Sequence, residues 1–294
     1  MVNKSGVKKS INKKSKMKFP LGVAFEISLL ILAIVGLGFL FVRINRPADY
    51  IVETNAFFAP FEFYEGRQIK GVDIEIIDRV AKYLNKKIDV KDVEFDVIID
   101  NVEAGKIADA GAAGLTITPA RSEKVNFSIP YYTSVQYLIY AKDSAPEMRG
   151  NHVVWDALAG AKLGSQMGST GYLFASDEAD SGVLKDTGTE VKGFESHQLA
   201  ADAISAHIID YAIADELVAK MIVDKNDKLA AVPLCYMGAS IAEDEPAEES
   251  YAIAVNKDRT ELLEAFNVVL AEMLTKDAEG KSEIDRLVLK YTGF

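Results

Sequence analysis

Between residues 50 and 115 the chain alternates short apolar runs with amphipathic stretches, and this alternation constrains the fold more than any other feature. Tyr50-Ile51-Val52-Glu53-Thr54 reads as a strand, Lys87 to Val90 as a second and Ala108 to Leu115 as a third. A helix is expected after Gly71, with Asp73 as its N-cap and Ile74, Ile77, Ala81 and Leu84 on one core-facing side. Another is expected over Val97 to Ala104. Strand–helix–strand order implies parallel strands joined by crossover helices. Ligands of such sheets gather at the carboxyl ends of the strands. Two loops fall at that edge, 55–63 and 116–121.

The second loop lies within Gly114-Leu-Thr-Ile-Thr-Pro-Ala-Arg121 and continues to Phe127-Ser128-Ile129-Pro130-Tyr131-Tyr132. Pro119 suits the first position of a helix, with Thr118 as the cap. Arg121 then sits on a short rigid turn beside a strand end. A guanidinium fixed there offers a planar fork that matches a carboxylate, and Thr116 adds a hydroxyl and an amide. A surface Arg beside a capped turn is the plainer reading of the same residues. The first loop, Asn55-Ala-Phe-Phe-Ala-Pro-Phe-Glu-Phe63, is rich in aromatics, which more often fill interiors than sites.

Beyond residue 133 the pattern repeats. Ser134 to Lys142 alternates as a strand, and Ala161 to Ser165 is a short strand ending in Gln166-Met-Gly-Ser169-Thr170-Gly171. That small-residue turn opens a helix whose amides and hydroxyls suit an anion, although a simple capped start explains it too. It lacks the Lys of a phosphate loop. A helix over Leu199 to Ala206 and a strand over Ile208 to Ala214 lead to Asp215, placed as the N-cap of a helix from Glu216 to Val223. The run Glu243 to Glu249 reads as a solvated loop, Ser250 to Val255 as a strand, and Glu261 to Leu274 and Ser282 to Tyr291 as closing helices.

The Gly-Leu-Thr-Ile-Thr-Pro-x-Arg motif, with the Phe-Ser-x-Pro-Tyr-Tyr that follows it, strongly resembles the solute-binding proteins of polar amino-acid ABC importers. The ligand cores of ionotropic glutamate receptors are related. The resemblance runs in order and spacing over roughly residues 50–294. It implies an α/β type II periplasmic-binding fold of two lobes, each a mostly parallel sheet flanked by helices. Residues 48–133 and 248–294 would form the first lobe and 134–247 the second. It further implies that Arg121, Thr116, Gly114 and Phe58 meet the ligand from the first lobe. Arg121 would take the α-carboxylate and Phe58 would lie over the ligand. Ser169, Thr170 and Asp215 would close from the second lobe, with Asp215 on the α-ammonium and its second oxygen free to cap the helix. A second stacking aromatic is expected near Phe95. Asn55 stands where several basic- and glutamine-binding relatives place Asp, and Gln166 stands near a Lys of the glutamine-binding protein. With Arg121 the only cation on these positions, a neutral or polar amino acid such as glutamine is favoured. The partners implied are a free amino acid and an ABC permease with its ATPase, with no cofactor and no metal.

Composition bears on the compartment. Residues 1–46 hold seven Lys, two Arg and one acid, a charge of +8, so the remainder carries −19 of the total −11. So acidic a body is unsuited to nucleic acid. Leu21 to Val42 is apolar apart from Glu26 and Ser28, and its length as a helix, about 33 Å, spans a bilayer. The Lys-rich segment 1–20 orients it with the N-terminus in the cytoplasm, so a single-pass anchor at 21–42 would hold the body on the extracytoplasmic side. A cleaved signal peptide is the competing reading, but its apolar region is shorter. With Cys235 the only cysteine, no intrachain disulfide forms. An enzyme resembling cyclohexadienyl dehydratases, or a tethered sensor, remains the alternative. His152, His197 and His207 are scattered, however, and His197 and His207 read as surface or helix residues.

Overall fold

The structure is a computed structural model that describes residues 47–293 and Leu30. The expected tail at 1–20 and, apart from Leu30, the expected anchor at 21–42 lie outside the described residues. No helix among the described residues is long and apolar enough to cross a membrane.

β1 (Tyr50–Thr54) leads into a three-stranded ribbon, β2 (Phe57–Phe58), β3 (Glu62–Glu65) and β4 (Gln68–Lys70). Helix α1 (Val72–Leu84), β5 (Ile88–Asp92), α2 (Ile98–Ala104) and β6 (Ala110–Gly111) follow. β5, β1 and β6 are parallel, as the alternation implied. Only two residues of the expected strand 108–115 pair in the sheet, although Ala112, Ala113 and Leu115 are buried. The buried stripe of α1 is Val72, Ile76, Ile77 and Val80, with Ile74 and Leu84 at its margins. Asp73 does not cap this helix. Gly71 occupies the cap position without a side-chain bond, and Asp73 is fully buried as the second residue of the helix.

The chain continues through α3 (Pro119–Lys124) and β7 (Asn126–Phe127) to the long β8 (Tyr132–Ala141). Next come β9 (Val153–Val154), β10 (Lys162–Gln166), α4 (Thr170–Asp180), β11 (Glu190–Phe194), α5 (His197–Ser205), β12 (Tyr211–Asp215), α6 (Glu216–Asp224) and β13 (Leu229–Tyr236). β14 (Glu245–Pro246), β15 (Glu248–Tyr251), β16 (Ala254–Val255), α7 (Thr260–Met273) and α8 (Glu283–Thr292) complete the order. The first sheet runs β5-β1-β6-β16-β7 and the second β11-β10-β12-β8-β13-β14. In each, three strands are parallel and the added strands pair antiparallel, so each sheet is parallel on one side only.

Two strands link the sheets. The first half of β8 pairs with β15, Tyr132 opposite Tyr251 and Val135 opposite Glu248, while its second half pairs with β12 and β13. The run 243–249 is therefore no plain solvated loop. Glu249 is 2% exposed on β15, and Asp244 accepts from Arg149 Nε at 2.6 Å and from His152 Nε2 at 2.7 Å. Beside the crossing strands lies an aromatic cluster in which the Phe61 ring is 5.1 Å from both Tyr132 and Tyr251 and 5.7 Å from Phe58. Large rings bury much apolar area in defined edge-to-face geometry, which fixes the aromatic loop against the junction of the sheets.

Candidate functional site

The Arg121 turn folds as its local sequence dictates. Thr118 Oγ1 accepts the Arg121 amide at 3.2 Å and Pro119 starts the turn. The side chain is 7% exposed. Its Nη1 donates to the Thr116 carbonyl and its Nη2 to the Gly168 carbonyl, both at 2.9 Å, so the guanidinium spans from the first sheet's loop to the second's. Phe95, expected as a stacking aromatic, lies 5.7 Å below the guanidinium. Burial lowers the Arg121 pKa, opposed by the charges of Glu249 and Asp215. The group stays a cation because an arginine starts so high.

Gly114 shows why the loop must be glycine. Its φ is +55°, and a Cβ there would lie 2.4 Å from Phe58 Cε1. The Phe58 ring rests on this bare backbone. From below, Asp73 Oδ2 accepts the Gly114 amide at 3.1 Å and Oδ1 accepts the Tyr131 hydroxyl at 2.6 Å. Burial pushes the Asp73 carboxyl up to about 6. Asp73 thus anchors the floor of the site rather than a helix end.

From the second sheet, Ser169 caps α4 by accepting the Tyr172 amide at 3.2 Å and lies 3.0 Å from Ser165 Oγ. Thr170 Oγ1 is 3.4 Å from Thr116 Oγ1, across the gap between sheets. Asp215 ends β12 at 5% exposure, and its side chain caps nothing. It accepts instead from Gln136 Nε2 at 2.7 Å and from the Tyr251 hydroxyl, both on the crossing strands. Asn55 Oδ1 accepts Gln166 Nε2 at 2.8 Å, a second link between sheets. Phe58, Phe95, Gly114, Thr116, Gln166, Ser169, Thr170, His197 and Asp215 line one small cavity. Arg121 and Asn55 join it through their bonds to Thr116 and Gln166.

Three groups here have no counterpart in the sequence reading. Glu249 accepts Thr116 Oγ1, Thr170 Oγ1 and Gln136 Nε2, joining both sheets to a crossing strand. The alternation of Ala247, Glu249 and Tyr251, all buried, was the available signal, masked by the acids around it. Gln136 and Tyr251 complete the cluster. His197, expected at the surface or in a helix, opens α5 but is 2% exposed. Among the described residues no group of three or more His, Cys, Asp or Glu is placed to hold a metal ion.

Glu249 is pushed up to about 8, by burial first and then by the Asp215 charge, and burial raises Asp215 as well. An acid whose folded pKa is raised stabilises the fold while protonated. Its contribution is full below the unfolded value of 4.5 and is lost as pH rises towards 8. Glu249→Gln, which matches the protonated acid in shape, should flatten that loss. Urea unfolding between about pH 5 and pH 8 should show the wild type losing up to about 1.4 kcal/mol per pH unit and the variant clearly less. Equal slopes would show that this carboxyl does not titrate in that window.

Two α/β lobes joined by two crossing strands, with a polar cavity between them, have the architecture of the two-lobed solute-binding proteins. The chain belongs to the bacterial extracellular solute-binding proteins, family 3, whose family model matches residues 50–293. This is the family its motifs resemble. The arginine-binding extracellular protein ArtP of Bacillus subtilis (strain 168) is 29% identical over 241 residues, covering 82% of this chain and 85% of the relative. The amino acid ABC transporter substrate-binding protein AbpA of Streptococcus pneumoniae, solved bound to L-arginine, is 29% identical with a TM-score of 0.68, covering 82% and 93% of the two chains. An ancestral arginine-binding protein solved bound to glutamine is 29% identical with a TM-score of 0.65, covering 83% of this chain and 98% of that one.

Proposed function

We propose that the chain binds a free amino acid between its lobes on the extracytoplasmic side of the membrane and delivers it to an ABC permease and its ATPase. One observation carries this reading: a buried carboxylate, Asp215, lines a cavity walled by both sheets, and a buried guanidinium, Arg121, is bonded to Thr116 on the wall of that cavity. A zwitterion's carboxylate and ammonium match that pair. Phe58 and Gly114 would form the floor, with Thr116, Ser169 and Thr170 giving hydroxyls to the carboxylate. Closure would follow because only the closed form presents both sets of contacts. Binding rather than chemistry is assigned to the site, because its buried charges match the carboxylate and ammonium that every free amino acid carries.

The ligand's side chain would be uncharged and polar, with glutamine the type. Arg121 and Asp215 neutralise the backbone groups of the ligand. Asn55 and Gln166, the amides beside them, carry no charge to pair with a further cation or anion. The segment at 21–42 would tether the protein and raise its concentration near the permease.

Calorimetry of the full-length chain against the common amino acids tests the reading. Glutamine should bind more tightly than arginine, lysine or glutamate. Ligand at about 100 times Kd should stabilise the protein by about 2.7 kcal/mol. Absence of binding by every amino acid, or turnover of prephenate or arogenate, would overturn it.

A further inference from the structure

Of the residues that line the cavity, His197 alone has a buried polar atom without a hydrogen-bond partner. His197 lines it at 2% exposure, with its ring 5.8 Å from Phe58 of the facing lobe, and its Nδ1 has no hydrogen-bond partner. The backbone of Ile213 lies against the ring and favours a proton on it, and because Nδ1 has no partner that contact is assigned to Nε2. This identifies the Ile213 acceptor as its carbonyl, which also accepts Ser165 Oγ at 2.8 Å. A carbonyl only accepts, so the nitrogen facing it carries the hydrogen. Burial lowers the pKa of the imidazole, which keeps it neutral with a single N–H. Nδ1 is therefore a buried lone pair.

The neighbouring amides are turned the same way. Asn55 Nδ2 donates to the Val93 carbonyl at 2.8 Å, which leaves Oδ1 towards Gln166. Gln166 Nε2 donates to Asn55 Oδ1 at 2.8 Å and to the Glu195 carbonyl at 3.0 Å, and these bonds use both its hydrogens. What Gln166 can still offer is its carbonyl oxygen. The free polar valences at this end of the cavity are thus mostly acceptors, with the second Asn55 Nδ2 hydrogen the one amide donor left.

We propose that His197 reads the ligand's side chain. Its Nδ1 accepts an N–H from that side chain and, with the carbonyl oxygens of Asn55 and Gln166, selects amino acids ending in a carboxamide. This rests on the amino-acid reading above. A carboxamide can take the Asn55 N–H on its oxygen and give its own N–H groups to the acceptors, whereas a carboxylate would meet lone pairs against that single N–H and an apolar side chain would leave buried acceptors unsatisfied. Both are penalised more heavily than a slightly imperfect fit.

The test is calorimetry of the full-length wild type, His197→Phe and His197→Asn with L-glutamine, L-glutamate and L-norleucine, with thermal melts confirming that each protein is folded. His197→Phe keeps a ring against Phe58 and removes the lone pair. It should weaken glutamine about tenfold or more and leave norleucine within about twofold. His197→Asn, whose Oδ1 falls where Nδ1 stood, should recover most of the glutamine affinity. If the Phe variant does not fold, His197→Met carries the same comparison. Equal losses for glutamine and norleucine, or no recovery in His197→Asn, would make His197 a packing residue and leave the amino-acid reading intact. A wild type that prefers glutamate or norleucine to glutamine would overturn this inference and the glutamine preference while leaving the amino-acid reading intact. One that binds no amino acid would overturn both.

Discussion

Replacing Arg121 by Ala should cost more than about 2 kcal/mol of ligand binding, at least roughly thirtyfold in Kd. A guanidinium has five N–H donors, and the structure uses two of them to fix it on the carbonyls of Thr116 and Gly168. The rest would be offered in a rigid plane to an incoming carboxylate. Without them a buried carboxylate has lost its only matched cation, and the variant also loses one of the links between lobes. Arg121→Lys should recover little, because an ammonium is a point charge without the fork. Calorimetry with the best wild-type ligand is the measurement. Wild-type affinity in Arg121→Ala would remove the assignment of the carboxylate site.

Asp215→Asn should be the second large effect, about 2–5 kcal/mol of binding. Both carboxylate oxygens are already held, by Gln136 Nε2 and by the Tyr251 hydroxyl, so the group is oriented before any ligand arrives. An Asn supplies one acceptor and sets an N–H against a donor on the other side. It also lacks the charge that would balance an α-ammonium. The ligand-induced rise in melting temperature should largely vanish, with the unliganded protein still folding cooperatively. Since burial raises this carboxyl, wild-type affinity should also fall as pH drops through its elevated range and the ammonium loses its partner. Full binding by Asp215→Asn would place the ammonium elsewhere.

Several parts of the site were legible from local signals. Thr118-Pro119 announced the turn that carries Arg121, and Ser169 announced the start of α4, because caps act within three residues. The parallel order of β5, β1 and β6 followed from alternation alone. Asp73 shows where such signals fail. Position made it a cap, yet its partners Gly114 and Tyr131 are 41 and 58 residues away. Glu249 failed for a related reason. A run of acids reads as solvated unless a strand's alternation turns one of them inward. The anchor expected at 21–42 lies, apart from Leu30, outside the described residues, and its expectation rests on hydropathy and charge.

By itself the sequence determined much of the order of strands and helices, though not the β2–β4 ribbon, β11 or β13, together with the turns capped by Thr118 and Ser169 and the family to which the chain belongs, all of which rest on patterns a few residues long. Only the tertiary structure decided which polar groups share a burial site. It brought Asn55 to Gln166 across 111 residues and Gln136 to Glu249 across 113, and it left one His197 nitrogen unpartnered. The reason is that backbone propensities are settled locally, whereas the environment of a buried charge is set by side chains from distant elements, and only their packing shows whether it is paired, protonated or open to a ligand.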